Sequence, residues 1–221
     1  MLFRTLPATV ELTAKRRNKL LTAVRQLQTQ TLTTPREIAM VIGLCSSAAE
    51  LVPSGRLAVR PLQWVFQDLW RPTSQDWDVI LPLSEDLRRA LTPWTRELWL
   101  SSAVPISPPP PDVSLCTDAS LAGWGAHLLP TFETAHGIWS PEESLLHIHL
   151  LELLAVFRAL LCWYEKLRGR AVMLLTDNTT VVAYVKLQGG TRSRQLCQLV
   201  IELLQWCSAA GITLHVSHIP G

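Results

Sequence analysis

The sequence predicts an α/β domain built on a mixed sheet and preceded by a mainly helical region, and three observations carry that prediction. From Asp112 onward, short apolar runs bounded by Gly, Pro or Ser alternate with longer amphipathic stretches, which is the mark of strands and helices in one sheet. Before it, apolar residues recur mostly at helical spacing. Between the two lies VPISPPPPD, where Pro105 and Pro108 to Pro111 remove backbone donors and favour extended geometry. The expected organisation is therefore 1–104 helical, 105–112 linker and 113–221 α/β.

The elements follow in order. Thr13 caps a helix through AKRRNKLLTAVRQLQTQ, and Thr34-Pro35 opens a second through REIAMVIGLCSSAAELV, with proline at the first helical position. PSGRLAVRPLQWVFQDLW supplies a turn and a third helix, and PLSEDLRRALTPWTRELWL a fourth that breaks near Pro93, so the first half reads as all-helical. DVSLCTDA, GWGAHLLP and TAHGIWS then read as three successive antiparallel strands. A long helix is expected from about His149 to Arg168, a strand over Ala171 to Thr176, and a short helix over Thr179 to Lys186. Gly189-Gly190 break the chain before a helix from Ser193 to Ala209, and ITLHVSH closes the sheet.

Composition narrows the class. Of the residues, 48% are hydrophobic, enough for real cores, and the net charge is only +2. The basic excess is local. Residues 1–40 hold seven Lys or Arg against two acids, whereas 113–221 hold seven against eight. Lys15, Arg16, Arg17 and Lys19 form its densest run, which reads either as a grip on nucleic-acid phosphate or as a solvated helix face. The five cysteines are scattered with no CxxC pair and mostly sit in apolar segments, as expected of reduced thiols in an intracellular protein. No stretch has the length of a membrane span or the continuity of a secretory signal.

Three acids sit in differently built segments. Asp118 and Asp177 end apolar, β-prone runs, and so belong at the carboxyl ends of strands; Glu152 lies within an amphipathic helix. Brought together they repel one another, a cost that a divalent ion of the Mg²⁺ or Mn²⁺ type relieves. Singly, Asp177-Asn178-Thr179 is also a helix-capping signature and Asp118 a turn residue. Glu152 is harder to explain otherwise, because its neighbours are apolar on both sides and a buried carboxylate there needs a cation or a donor. Gly189-Gly190-Thr191-Arg192-Ser193-Arg194 allows backbone approach to a phosphate, with Arg192 and Arg194 beside a helix start, and equally fits an ordinary capped loop. His147 and His149 read as helix-entry and core residues, since nothing completes a zinc set. Trp124 and Trp139 read as core; the five tryptophans between Trp64 and Trp99 read as interhelical, with some facing outward.

From Asp112 to Gly221, TDASLAGWGAHL, LELLAV, TDNTTVVAY, the QGGTRS loop and HIPG resemble the ribonuclease H domain of retroelement reverse transcriptases, the DIRS-type retrotransposons in particular. PSGRLAVRPLQ and TPWTRELWL resemble the thumb- or connection-like segment that precedes it there. The resemblance implies a ribonuclease H-like sheet and Mg²⁺- or Mn²⁺-dependent hydrolysis of the RNA strand of an RNA–DNA hybrid. It implies Asp118, Glu152 and Asp177 as metal-binding catalytic carboxylates, and His218 as a loop histidine that assists product release or proton transfer; a polar residue at a strand end is the plainer account of His218. Partners implied are the hybrid and the polymerase part of the same element, with no membrane.

Two departures stand out. No adjacent Asp-Asp pair occurs, so the polymerase centre of such proteins is not in these 221 residues. The family pattern also continues past HIPG to an Asn and a fourth acid on a closing helix, whereas this sequence stops at Gly221. Impaired or absent nuclease activity is the resulting expectation, with a non-catalytic nucleic-acid-binding or protein-interaction remnant as the alternative.

Overall fold

The chain is described by a computed structural model covering residues 1–220. It divides into two compact units, Met1–Ser107 and Pro108–Gly221.

The first unit is mainly helical, and its helices start where the caps predict. In chain order it contains β1 (Leu2–Thr5), β2 (Ala8–Glu11), α1 (Ala14–Thr29), β3 (Leu32–Thr33), α2 (Pro35–Ala48), α3 (Gly55–Trp70), β4 (Leu81–Pro82), α4 (Glu85–Leu91), α5 (Glu97–Leu100) and β5 (Val104–Pro105). Thr13 caps α1, and Thr34 forms a reciprocal capping box with Glu37 at α2. Leu20, Val24, Ile38, Cys45, Leu62 and Leu91 form the centre of its core. Of the five tryptophans only Trp94 is fully enclosed; Trp77 is 39% exposed and packs at a tilt against Phe66 and Trp70.

An all-helical first half is corrected by two small sheets. β1 and β2 form a hairpin that β5 extends, and β3 pairs with β4. These strands are two to four residues long and mostly exposed, so they carry almost no apolar alternation. Pro105, at the head of the proline-rich span, belongs to β5, and Ile106 N donates to Ala8 O.

The second unit holds β6 (Val113–Ala119), β7 (Gly123–Leu129), β8 (Glu133–Ile138), α6 (Ile148–Cys162), α7 (Tyr164–Leu167), β9 (Ala171–Thr176), α8 (Thr179–Lys186), α9 (Arg194–Ala209) and β10 (Thr213–His218). The strand order is β10-β9-β6-β7-β8. β6, β7 and β8 run antiparallel to their neighbours in turn, while β9 pairs parallel to β6 and β10 parallel to β9. Three antiparallel strands followed by helix-connected parallel ones make this a ribonuclease H-like mixed sheet, as expected. Leu115 and Leu174 are fully buried beside one another on adjacent strands, under a core that includes Leu151, Ala155 and Leu160 of α6.

One expected helix is two. α6 stops at Cys162, not Arg168, because Trp163 leaves helical geometry and is nearly buried, its indole N–H donating to Glu133 on β8 at 3.3 Å. Lys166 pairs with the same carboxylate at 2.6 Å. A tertiary anchor thus overrides a continuous helical pattern.

The β7–β8 ladder depends on missing side chains. A Cβ on Gly123 would stand 2.4 Å from Gly137 O, and one on Gly137 would stand 2.7 Å from the buried Trp124 indole nitrogen. Gly123→Ala should therefore lower unfolding stability by about 1–3 kcal/mol, the usual range for overpacking, as read from urea denaturation followed by tryptophan fluorescence; an unchanged midpoint would contradict the close approach.

Candidate metal centre

Asp118 and Asp177 meet because of the register of a parallel ladder. β6 and β9 pair Val113 with Val172 and continue in step to Cys116 with Leu175, a constant offset of 59. Carried two residues further, the same offset sets Asp118 beside Asp177, which immediately follows β9. Their shared phase is opposite to that of Leu115 and Leu174, which point into the core. Glu152 comes from the first half of α6. Oxygens of the three carboxylates lie within 4.8 Å of one another, the aspartates exposed and the glutamate 5% exposed.

The burial of Glu152 has an electrostatic consequence. Loss of water raises its pKa from an ordinary 4.5 to about 7, with smaller contributions from the charges of Asp118 and then Asp177. The Ala119 amide and the Asn178 side chain oppose the shift by stabilising the ionised form. One oxygen, Oε2, is buried with no hydrogen-bond partner. An orphaned carboxylate oxygen facing two further carboxylates fits a hard divalent cation such as Mg²⁺ or Mn²⁺. Asp118, Glu152 and Asp177 are the residues that would hold it.

His218, the last residue of β10, lies beside Thr176, and its Nε2 donates to Asp177 O at 3.1 Å. A carbonyl can only accept, so Nε2 is the donor, and in the neutral ring Nδ1 is the acceptor. Arg192 lies in the loop before α9 and Arg194 opens that helix; both are exposed. The loop is held from below by Tyr184, whose hydroxyl accepts from Ser193 N at 2.9 Å and whose ring lies where a Gly190 side chain would go. Lys15, Arg16, Arg17 and Lys19 occupy the first turns of α1 in the other unit; Lys15, Arg16 and Lys19 are exposed, Arg17 is half-buried, and Arg16 donates to Ser47 O. Trp124 and Trp139 are core residues, at 8% and 6% exposure. His147 caps α6, its Nδ1 accepting from His149 N.

Beside Asp118 runs an open groove of about 360 Å³ lined by Ser120, Gly123, Gly125, His136 and Gly137. Asp118, Gly125 and His136 lie opposite one another across β6, β7 and β8, so the glycine leaves bare backbone between the carboxylate and the imidazole. Two residues at the site were not foreseen from the sequence. Asn178 joins α8 to α6 through His149, at 3.0 Å between Nδ2 and Nδ1. The signal for Asn178 was present in the TDN triplet, but read there only as a cap.

No protein-family model matches the sequence, and no curated protein matches it. Among solved structures, a foamy viral protease-reverse transcriptase in complex with double-stranded DNA is similar at 17% identity, over 96% of this chain and 36% of that one, with a TM-score of 0.39. LC11-RNase H1 in complex with an RNA/DNA hybrid is similar at 14% identity, over 49% of this chain and 86% of that one, with a TM-score of 0.43. The same ribonuclease, isolated from compost by a metagenomic approach, also matches in a second structure at 15% identity, over 49% of this chain and 84% of that one, with a TM-score of 0.36. The chain thus spans about a third of the foamy viral protein. Strand order and direction, not these scores, carry the fold assignment. Among the described residues, no helix is long and apolar enough to cross a membrane. All five cysteines are free, and burial pushes the Cys45 and Cys207 thiols up to about 12, too high for ready reaction.

The Glu152 shift sets a pH dependence in metal-free protein. The group is protonated in both folded and unfolded chains below pH 4.5, so it costs nothing there; above about 7 it is ionised in both and the full burial cost applies. Glu152→Gln should raise the melting temperature at pH 8, removing a cost of up to about 3 kcal/mol, and leave it nearly unchanged at pH 4. Equal effects at both pH values in thermal melts with chelator would contradict the shift.

Proposed function

We propose that the second unit is a ribonuclease H-type nuclease that hydrolyses the RNA strand of an RNA–DNA hybrid with Mg²⁺ or Mn²⁺, and that the chain is part of a retroelement reverse transcriptase of DIRS type. The observation that carries the proposal is the convergence of Asp118, Glu152 and Asp177 within 4.8 Å on a ribonuclease H-like sheet, with one buried oxygen unpartnered.

The chemistry follows from the donor set. Three hard oxygen donors from three elements suit divalent cations that retain water, and no soft or imidazole ligand is among them. When bound, such ions lower the pKa of attacking water and stabilise the attacking and leaving oxygens of an in-line displacement. Asp118 and Asp177, exposed at the strand ends, face the scissile phosphate. Glu152 holds the far side of the site from beneath. His218, with Nδ1 free to accept and Nε2 fixed on the Asp177 carbonyl, is placed to take a proton or ease product departure. Arg192 and Arg194 are exposed for contact with the backbone of the hybrid, and Lys15, Arg16, Arg17 and Lys19 are a second basic surface for template or primer phosphate. The first unit is read as the thumb- or connection-like segment, through which the polymerase part of the element would be joined.

Cleavage of the RNA strand of a labelled hybrid should require Mg²⁺ or Mn²⁺ and fall at least ~100-fold in Asp118→Asn and Asp177→Asn, in keeping with a group that stabilises transition-state charge. Hybrid binding that weakens with salt, without any metal-dependent cutting, would instead identify a binding module. Replacing Arg192 and Arg194 by Ala should flatten the dependence of log affinity on log salt by about one to two units; an unchanged slope would remove them from the interface.

A further inference from the structure

Asn178 employs its whole side chain. Its Oδ1 accepts from Thr180 N at 3.1 Å and Val181 N at 3.2 Å, capping α8. That cap settles which end of the amide is oxygen, because only an acceptor can face two N–H donors. Nδ2 therefore points the other way, where it lies 3.0 Å from His149 Nδ1, and the same side chain favours the ionised form of Glu152.

The imidazole is constrained in turn. Facing a donor, His149 Nδ1 must present its lone pair, so the proton resides on Nε2, which lies 3.4 Å from Thr180 Oγ1. His149 precedes Glu152 by three residues on α6, which places both on one helix face. The start of α6 is thus tied to the start of α8 through both nitrogens of one imidazole.

We propose that Asn178 and His149 are positioning residues of the carboxylate site, a clamp that sets how far Glu152 stands from Asp177. The clamp rests on the reading of those carboxylates as metal ligands only for its consequence, not for its existence. A cap alone would not require asparagine: serine or aspartate caps a helix as well. Serine retains the cap oxygen but has no amide N–H to present to His149, and aspartate would add a fourth negative charge with no donor at all. Partners that orient a metal ligand commonly alter affinity by 10–100-fold when removed, and a clamp acting through one carboxylate falls at the low end of that range.

Two measurements on the whole chain separate this from a structural role. In metal-free protein, imidazole ¹⁵N shifts should show His149 as a single Nε2–H tautomer, and Asn178→Ser should release it to a mixture. In Mn²⁺ titrations followed by electron paramagnetic resonance, His149→Asn, whose carbonyl oxygen replaces the Nδ1 acceptor, should bind within about twofold of the parent. His149→Gln, which reaches the Nε2 position instead, and Asn178→Ser should bind roughly tenfold more weakly. Equal Mn²⁺ affinity in the Asn and Gln variants, or an Nδ1–H tautomer in the parent, overturns the clamp. A parent that fixes the tautomer yet binds no Mn²⁺ supports the clamp and overturns the metal reading, so the two fail separately.

Discussion

The second unit is organised around a repulsion. Three carboxylates that would stay apart in water are held within 4.8 Å, and one of them is buried. The largest part of the resulting strain is the dehydration of Glu152, which outranks the charges of the two aspartates. The net cost, up to about 3 kcal/mol, is what remains after the Ala119 amide and Asn178 have already opposed it. The remaining means of relief are a proton on Glu152 or a cation among the three, and near neutrality the two compete.

Everything that holds the trio is remote from it in kind. The aspartates are placed by a parallel ladder whose stability comes from buried pairs such as Leu115 with Leu174. The glutamate is placed by a helix whose inner face is Leu151, Ala155 and Leu160. Apolar packing fixes the backbones, and the backbones oblige the charges to meet. The polar tie between His149 and Asn178 then acts at the helix starts, where packing is weakest and backbone groups need partners anyway.

Much of this was legible in the sequence, because the second unit obeys simple periods. Alternation in VSLCTDA and the continuous apolar run AVMLLT announce two strands, the first with Asp118 as its penultimate residue and the second followed directly by Asp177. Glu152 was legible because a charge among leucines demands a reason. What failed to show did so for physical causes. The hairpin at Leu2–Glu11 is exposed and too short to alternate, and the break at Trp163 is made by Glu133, thirty residues earlier in the chain. Asn178 reads as a cap because capping is a local act; its second partner lies on another helix, and no spacing rule connects them.

The offset of 59 between Asp118 and Asp177 also has a meaning in time. Parallel strands cannot be joined by a tight turn, so this pairing waits for the whole intervening crossover to close, and long-range pairing of this sort is what slows folding. No hairpin, helix or early folded fragment of the unit contains the three carboxylates in place. The site comes into being only with the complete sheet, so a divalent cation held there would be a ligand of the folded state and not of its precursors. Its concentration would then govern how much of the chain is folded, before it governed anything that the folded chain does.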